Sequence, residues 1–165
     1  MVKSIWVAGG CFWGIQKYFD SIKGVRHTIV GYSQGNVINP SYEQVCTQTT
    51  NHTETVQVDY DDRFVSLTSI LEHLYQIIDP FSLNKQGEDI GNQYRSGIYY
   101  VDHEDALIIK NFLLQKQNQT SKKIMIEVHK LHNFNIAEEY HQKYLDKNPN
   151  GYCHVNLSLS KKRFN

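Results

Sequence analysis

Two hydrophobic periods alternate along the chain. Residues 3–9, KSIWVAG, are largely apolar and end at Gly9-Gly10, which predicts a short strand and a turn. Phe12, Ile15, Phe19 and Ile22 then recur at helical spacing, and Gly24 stands where a helix C-cap favours glycine. VRHTIVGYSQG at 25–35 predicts a strand running into a glycine turn, and NPSYEQV at 39–45 a single helical turn. TETVQVDY at 53–60 alternates, with Val56, Val58 and Tyr60 on one face, the pattern of a half-buried strand.

Ser66 opens SLTSILEHLYQII, an amphipathic helix that stops before Pro80 because the residue ahead of a proline is pushed out of the helical region. Residues 81–95, FSLNKQGEDIGNQYR, show no period and hold two glycines. A loop of that length inside a compact domain is often functional. SGIYYV at 96–101 predicts a strand, Asp102 can cap a helix over 103–117, and KKIMIEVHKL at 122–131 predicts another strand. AEEYHQKYLDKN at 137–148 reads as a short polar helix halted by Pro149, and 151–165 lacks a core pattern and is expected to form a mobile surface tail. With no repeat or linker, residues 1–165 read as one domain. Strands separated by helices predict an α+β fold, a two-layer sandwich of a mixed sheet with packed helices in a ferredoxin-like arrangement.

Composition narrows the function classes. Seventeen Lys plus Arg balance 17 Asp plus Glu in 165 residues, so no net field draws nucleic acid or an anionic membrane. No apolar run approaches the roughly 20 residues of a membrane span, and the N-terminus lacks a signal-peptide core. A cytoplasmic location is expected, with no obligate oligomer partner. Three cysteines there do not make a disulfide framework and point to buried thiols or thiol chemistry.

Cys11 is the candidate for such chemistry. Gly9-Gly10 bends the chain sharply, and Cys11 then enters the first turn of a helix, where free N–H groups favour a thiolate. Phe12 and Trp13 point to different faces from Cys11, so the three cannot all be core. These residues alone leave two readings open, a reactive thiol beside an aromatic pocket and an inert buried thiol.

GGCFWG at 9–14 resembles the signature of the A-class peptide methionine sulfoxide reductases. Four further blocks resemble that family, in family order: NPSYEQVC at 39–46, NHTETVQVDYD at 51–61, LNKQGEDIGNQYRSGIYY at 83–100 and AEEYHQKYLDKNPNGYC at 137–153. The resemblance implies reduction of methionine S-sulfoxide, free and in proteins, without metal or cofactor. It implies Cys11 as the nucleophile that becomes a sulfenic acid, Glu54 as proton donor, and Phe12 and Trp13 as the pocket for the S-methyl group. Tyr42 and Tyr94 would bond the sulfoxide oxygen and Asp89 would orient the substrate.

A sulfenic acid has to be resolved by a second thiol. Cys46 and Cys153 are the candidates. Cys153 lies in the glycine-containing tail, and the resemblance places the resolving cysteine at GYC, so a Cys11–Cys153 disulfide recycled by thioredoxin is implied and Cys46 is read as structural. No cysteine follows Cys153, so a further relay to the tail is not expected, and Asn51 and Lys85 depart from the family's common glycine and arginine. Three rivals are weaker. A Cys–His hydrolase leaves the two aromatics unexplained, a metal site from Cys153, His154, His129 and His132 lacks ligand spacing, and a peptide-binding module predicts that Cys11 is dispensable.

Overall fold

The computed structural model describes residues 1–164. Its elements follow the chain as β1 (Val2–Ala8), α1 (Phe12–Asp20), β2 (Val25–Ser33), α2 (Tyr42–Cys46), β3 (Thr53–Asp61) and α3 (Leu67–Ile77). Then come the two-residue strands β4 (Lys85–Gln86) and β5 (Asp89–Ile90), followed by β6 (Gly97–Tyr100), α4 (His103–Gln117), β7 (Glu127–Lys130), β8 (Asn135–Ile136) and α5 (Tyr144–Lys147). Single 3-10 turns lie at Asn92–Tyr94, Glu139–His141 and Leu157–Lys161.

Six strands form one sheet in the order β7-β6-β1-β3-β2-β8, antiparallel except for the β6–β7 pair. The mixed α+β architecture predicted above is thus the one observed. Pairings Ile5–Val58, Val7–Val56 and Val56–Val30 line up buried side chains on the face that joins the helices in one hydrophobic cluster. Fully burying such a side chain contributes about 1.5–3 kcal/mol. A slip of one residue would turn them out and Trp6 and Gln57 in, so the register is firmly set. The same parity carries Glu54 inward, in line with Val56 and Val58 and opposite Tyr32.

Three helices, α2, α3 and α4, start on side-chain caps. Ser66 Oγ accepts from the Ser69 N–H at 3.1 Å, and Ser41 and Gln44 form a reciprocal capping box on α2. Asp102 Oδ1 accepts from the Glu104 N–H at 3.0 Å. Asp102→Ala is expected to destabilise the fold by about 1 kcal/mol in denaturant unfolding.

Four expectations change in detail. Residues 137–148 are not one helix. Gln142 turns its amide onto the β2 edge, accepting from the Val30 N–H at 3.0 Å and donating to the Val30 carbonyl at 2.8 Å, and Lys143 takes a left-handed backbone at φ 56°. The strand expected over 122–131 shortens to Glu127–Lys130, because the Met125 N–H is drawn to the Pro80 carbonyl at 2.7 Å. α1 ends at Asp20 with Ser21 as its cap, and Gly24 instead forms the positive-φ turn into β2. The tail, for which no core pattern was expected, joins the core: Val155 is buried and Leu157 and Leu159 pack against it.

Candidate active site

β1, a central strand of the sheet, delivers the chain to the buried Gly9-Gly10 turn at its C-terminal end. Gly10 has φ 88°, and a Cβ there would fall 2.7 Å from Gln86 Cβ and 2.9 Å from His154 Nε2. The turn leaves Cys11 as the N-cap of α1, 8% exposed, with Phe12 and Trp13 opening the helix.

The helix terminus does not win the electrostatics of this thiol. Burial raises the Cys11 pKa well above its ordinary value, the charge of Glu54 raises it further, and the Trp13 N–H opposes them only in part. Desolvation of a thiolate costs more here than one helix end returns. The Cys11 thiol is therefore held neutral, in place of the thiolate expected from the local sequence.

Glu54 is 2% exposed, and burial pushes its carboxyl up to about 8, against a lowering bond from the Phe12 N–H. That N–H donates to Glu54 Oε1 at 3.1 Å. The accepting oxygen is thereby assigned, and the proton belongs on Oε2. At neutral pH the site holds two protons, one on sulfur and one on the carboxyl. A hydrogen bond to the residue next to Cys11 fixes the carboxyl beside the thiol.

Aromatic side chains close around this pair. Trp13 stacks on Tyr144 with centroids 3.7 Å apart and 9° between planes, and its Nε1–H donates to His141 Nδ1 at 3.0 Å. Indole only donates, so His141 is neutral with its proton on Nε2, in keeping with a pKa lowered by burial. Phe12 meets His141 at 5.2 Å and Tyr32 at 5.7 Å, and Tyr42 meets His141 at 4.7 Å. The phenols of Tyr42 and Tyr94 are raised by burial and then by the charge of Glu54, so both stay neutral O–H donors.

Asp89, on β5, lies near enough for its charge to act on Cys11, Glu54 and Tyr94, and one of its oxygens, Oδ2, is buried without a partner among the described residues. Cys153 is also a near neighbour of Cys11. The structure thus brings all eight candidate residues, Cys11, Phe12, Trp13, Tyr42, Glu54, Asp89, Tyr94 and Cys153, to the same end of the sheet. Cys46 sits at the last turn of α2 beside Tyr42. A separate cavity of about 700 Å³, lined by Lys23, Arg63, His73 and Lys161 among others, shares no residue with this site.

Residues 3–165 match the family described as peptide methionine sulfoxide reductase. The chain is 87% identical over 164 residues to the peptide methionine sulfoxide reductase MsrA of Ureaplasma parvum serovar 3, covering 99% of each. The chain belongs to the peptide methionine sulfoxide reductase family. Among solved structures it is similar to Mxr1 of Saccharomyces cerevisiae in reduced form, with 34% identity and a TM-score of 0.88 over 94% of this chain and 91% of that one. It shares the fold of Mxr1 in complex with Trx2, at 23% identity and a TM-score of 0.62 over 87% of this chain and 84% of that one.

Three neighbouring residues make bonds here that the resemblance did not assign. Glu138 accepts from the Tyr32 hydroxyl at 2.8 Å and from the Tyr42 N–H at 2.9 Å. Burial works against its charge, but these bonds keep the carboxyl below its ordinary value. Two glutamates thus hold opposite states in one site, Glu54 protonated and Glu138 ionised. His141 holds the Trp13 indole, and His154 Nε2 bonds the Gly9 carbonyl at 2.8 Å. The sole signal for Glu138 and His141 was their place in the fourth of the further blocks, AEEYHQKYLDKNPNGYC.

Proposed function

We propose that this protein reduces the S epimer of methionine sulfoxide, free and in proteins, to methionine. The observation that carries the reading is the bond from the Phe12 N–H to Glu54, which places a protonated carboxylic acid beside a buried thiol. In the proposed reaction Glu54 gives its Oε2 proton to the sulfoxide oxygen. The Cys11 sulfur attacks the sulfoxide sulfur, and its own proton restores Glu54. The attack forms a bond between the two sulfurs; oxygen then passes to Cys11 as that S–S bond and the S–O bond of the substrate break, leaving methionine and a Cys11 sulfenic acid.

Each neighbour has a part. Neutral Tyr42 and Tyr94 hydroxyls stabilise charge as it develops on the oxygen. Phe12 and Trp13 enclose the methyl group, with Trp13 held flat between Tyr144 and its bond to His141, and Asp89 orients the substrate. The Cys153 sulfur then attacks the Cys11 sulfenic sulfur. A disulfide forms, the S–O bond breaks, and the hydroxyl leaves as water with the Cys153 proton. Thioredoxin is the proposed dithiol that reduces the disulfide, a reading supported by the existence of a yeast Mxr1 complex with Trx2 and by family membership. In this reading thioredoxin meets the Cys11–Cys153 disulfide directly. The sparse cysteines suit a cytoplasmic, reducing location.

The test uses N-acetyl-methionine sulfoxide separated into its epimers, with dithiothreitol, and follows loss of one oxygen by mass spectrometry. Reduction of the S epimer alone is expected. Reduction of neither epimer, or of both at one rate, sinks the reading.

A further inference from the structure

Cys11 is the N-cap of α1, and Gly14 lies three residues on, so the two share one face of the helix. Gly14 is buried, and a Cβ built on it would lie 3.0 Å from Cys153 Sγ and 3.3 Å from Val155 Cγ2. An ordinary carbon–sulfur contact is wider than that. The sulfur therefore occupies the space that a side chain at 14 would fill, one helical turn from the nucleophile. The Cys153 thiol is oriented there by a bond from Sγ to the Val155 carbonyl at 3.4 Å.

The next residue of the tail is fixed on the other side of Cys11. His154 Nε2–H donates to the Gly9 carbonyl at 2.8 Å, two residues ahead of the nucleophile. Its Nδ1 is buried without a partner among the described residues, so the carbonyl bond is the ring's hydrogen bond there. Beyond it, Val155 is buried, Gln76 Nε2 donates to the Leu159 carbonyl at 3.1 Å, and Ser69 Oγ donates to the Phe164 carbonyl at 3.1 Å. Cys153 and His154 thus straddle the turn that carries Cys11, and the tail after them is fastened to α3.

We infer that the resolving thiol is held ready in a seat cut into the first turn of α1, with Gly14 and His154 as the positioning residues of disulfide closure. The inference rests on the reading of Cys153 given above. A thiol tethered on a free tail would have to search for the sulfenic sulfur. One seated a helical turn away attacks from a restricted set of positions, and that restriction lowers the entropic part of the barrier. Fast closure also limits the time in which the sulfenic acid can be oxidised further.

The experiment separates the two half-reactions in the intact protein. Enzyme is mixed with the S sulfoxide of N-acetyl-methionine without reductant. The first equivalent of product is timed by quenched flow. The sulfenic acid is trapped with dimedone, and loss of the two thiols is followed by alkylation and mass spectrometry. Gly14→Ala and His154→Leu are expected to form the first equivalent within twofold of the wild-type rate. Closure is expected to slow tenfold or more, with dimedone adduct accumulating at Cys11. His154→Gln keeps a donor for the Gly9 carbonyl and is expected to close within threefold of wild type. A purely structural effect would slow both half-reactions and would not be rescued by glutamine. Either of those results, or wild-type closure in Gly14→Ala and His154→Leu, overturns the seat. Closure through a different thiol, with Cys153 alkylated throughout in the wild type, removes the underlying assignment of Cys153 instead. Thermal melting of each variant accompanies the kinetics. Alanine is favoured over glycine inside a helix by about 1 kcal/mol, so Gly14→Ala is expected to fold.

Discussion

Replacing Cys153 by serine is expected to abolish turnover driven by thioredoxin while leaving a burst of about one equivalent of methionine per enzyme. The burst needs only Cys11 and the proton donor. Without a second sulfur the enzyme stops as a sulfenic acid, and thioredoxin finds no disulfide to attack. Cys11→Ser, by contrast, is expected to make no product at all. Rapid-quench measurement of product against time distinguishes the three proteins by burst amplitude and steady-state slope. If Cys46→Ser shows the burst-only behaviour and Cys153→Ser turns over normally, the two thiols exchange roles.

Glu54→Gln is expected to lower kcat/KM by about 100- to 10,000-fold, the usual contribution of a positioned general acid. Glutamine can still accept from the Phe12 N–H, so the backbone bond survives while the transferable proton is lost. In the wild type the proton donor disappears as pH rises through about 8, so kcat/KM should fall on that side. The same proton leaves a mark on stability. The folded pKa of about 8 lies above the ordinary 4.5, so the contribution is fully present below about pH 4.5 and is lost as pH rises through about 8. At roughly 1.4 kcal/mol per pH unit the full difference is on the order of 5 kcal/mol. Glu54→Gln should flatten that fall in denaturant unfolding measured from pH 4.5 to 9. An equally steep fall in both proteins would place the buried proton elsewhere.

Much of this architecture is written in short-range pattern. β3 is legible because Val56, Val58 and Tyr60 alternate, and the starts of α3 and α4 because Ser66 and Asp102 are cap residues at the head of apolar periods. What was not legible depends on contacts with no period. Gln142 breaks an expected helix by bonding a strand 112 residues away, and β4 and β5 are too short, at two residues each, to show any alternation. The site divides in the same way. The blocks led to Cys11, Glu54 and the aromatics, but the state of the thiol depends on burial, which the dipole argument at the helix start does not contain. Glu138 and His154 act through backbone groups of distant residues, and neither carries a local mark.

The bond between the Phe12 amide and Glu54 gives one position two separable jobs. The ring of Phe12 faces the aromatic hollow, while its N–H holds the acid. Exchanging side chains at residue 12 samples only the first job, because every residue but proline keeps the amide. Proline, which a helix accepts in its first position, removes ring and donor together. Replacing the amide with an ester by chemical synthesis would silence the donor alone. Part of the proposed acid–base apparatus is therefore main chain, and a scan of side chains would record this carboxyl as having no partner.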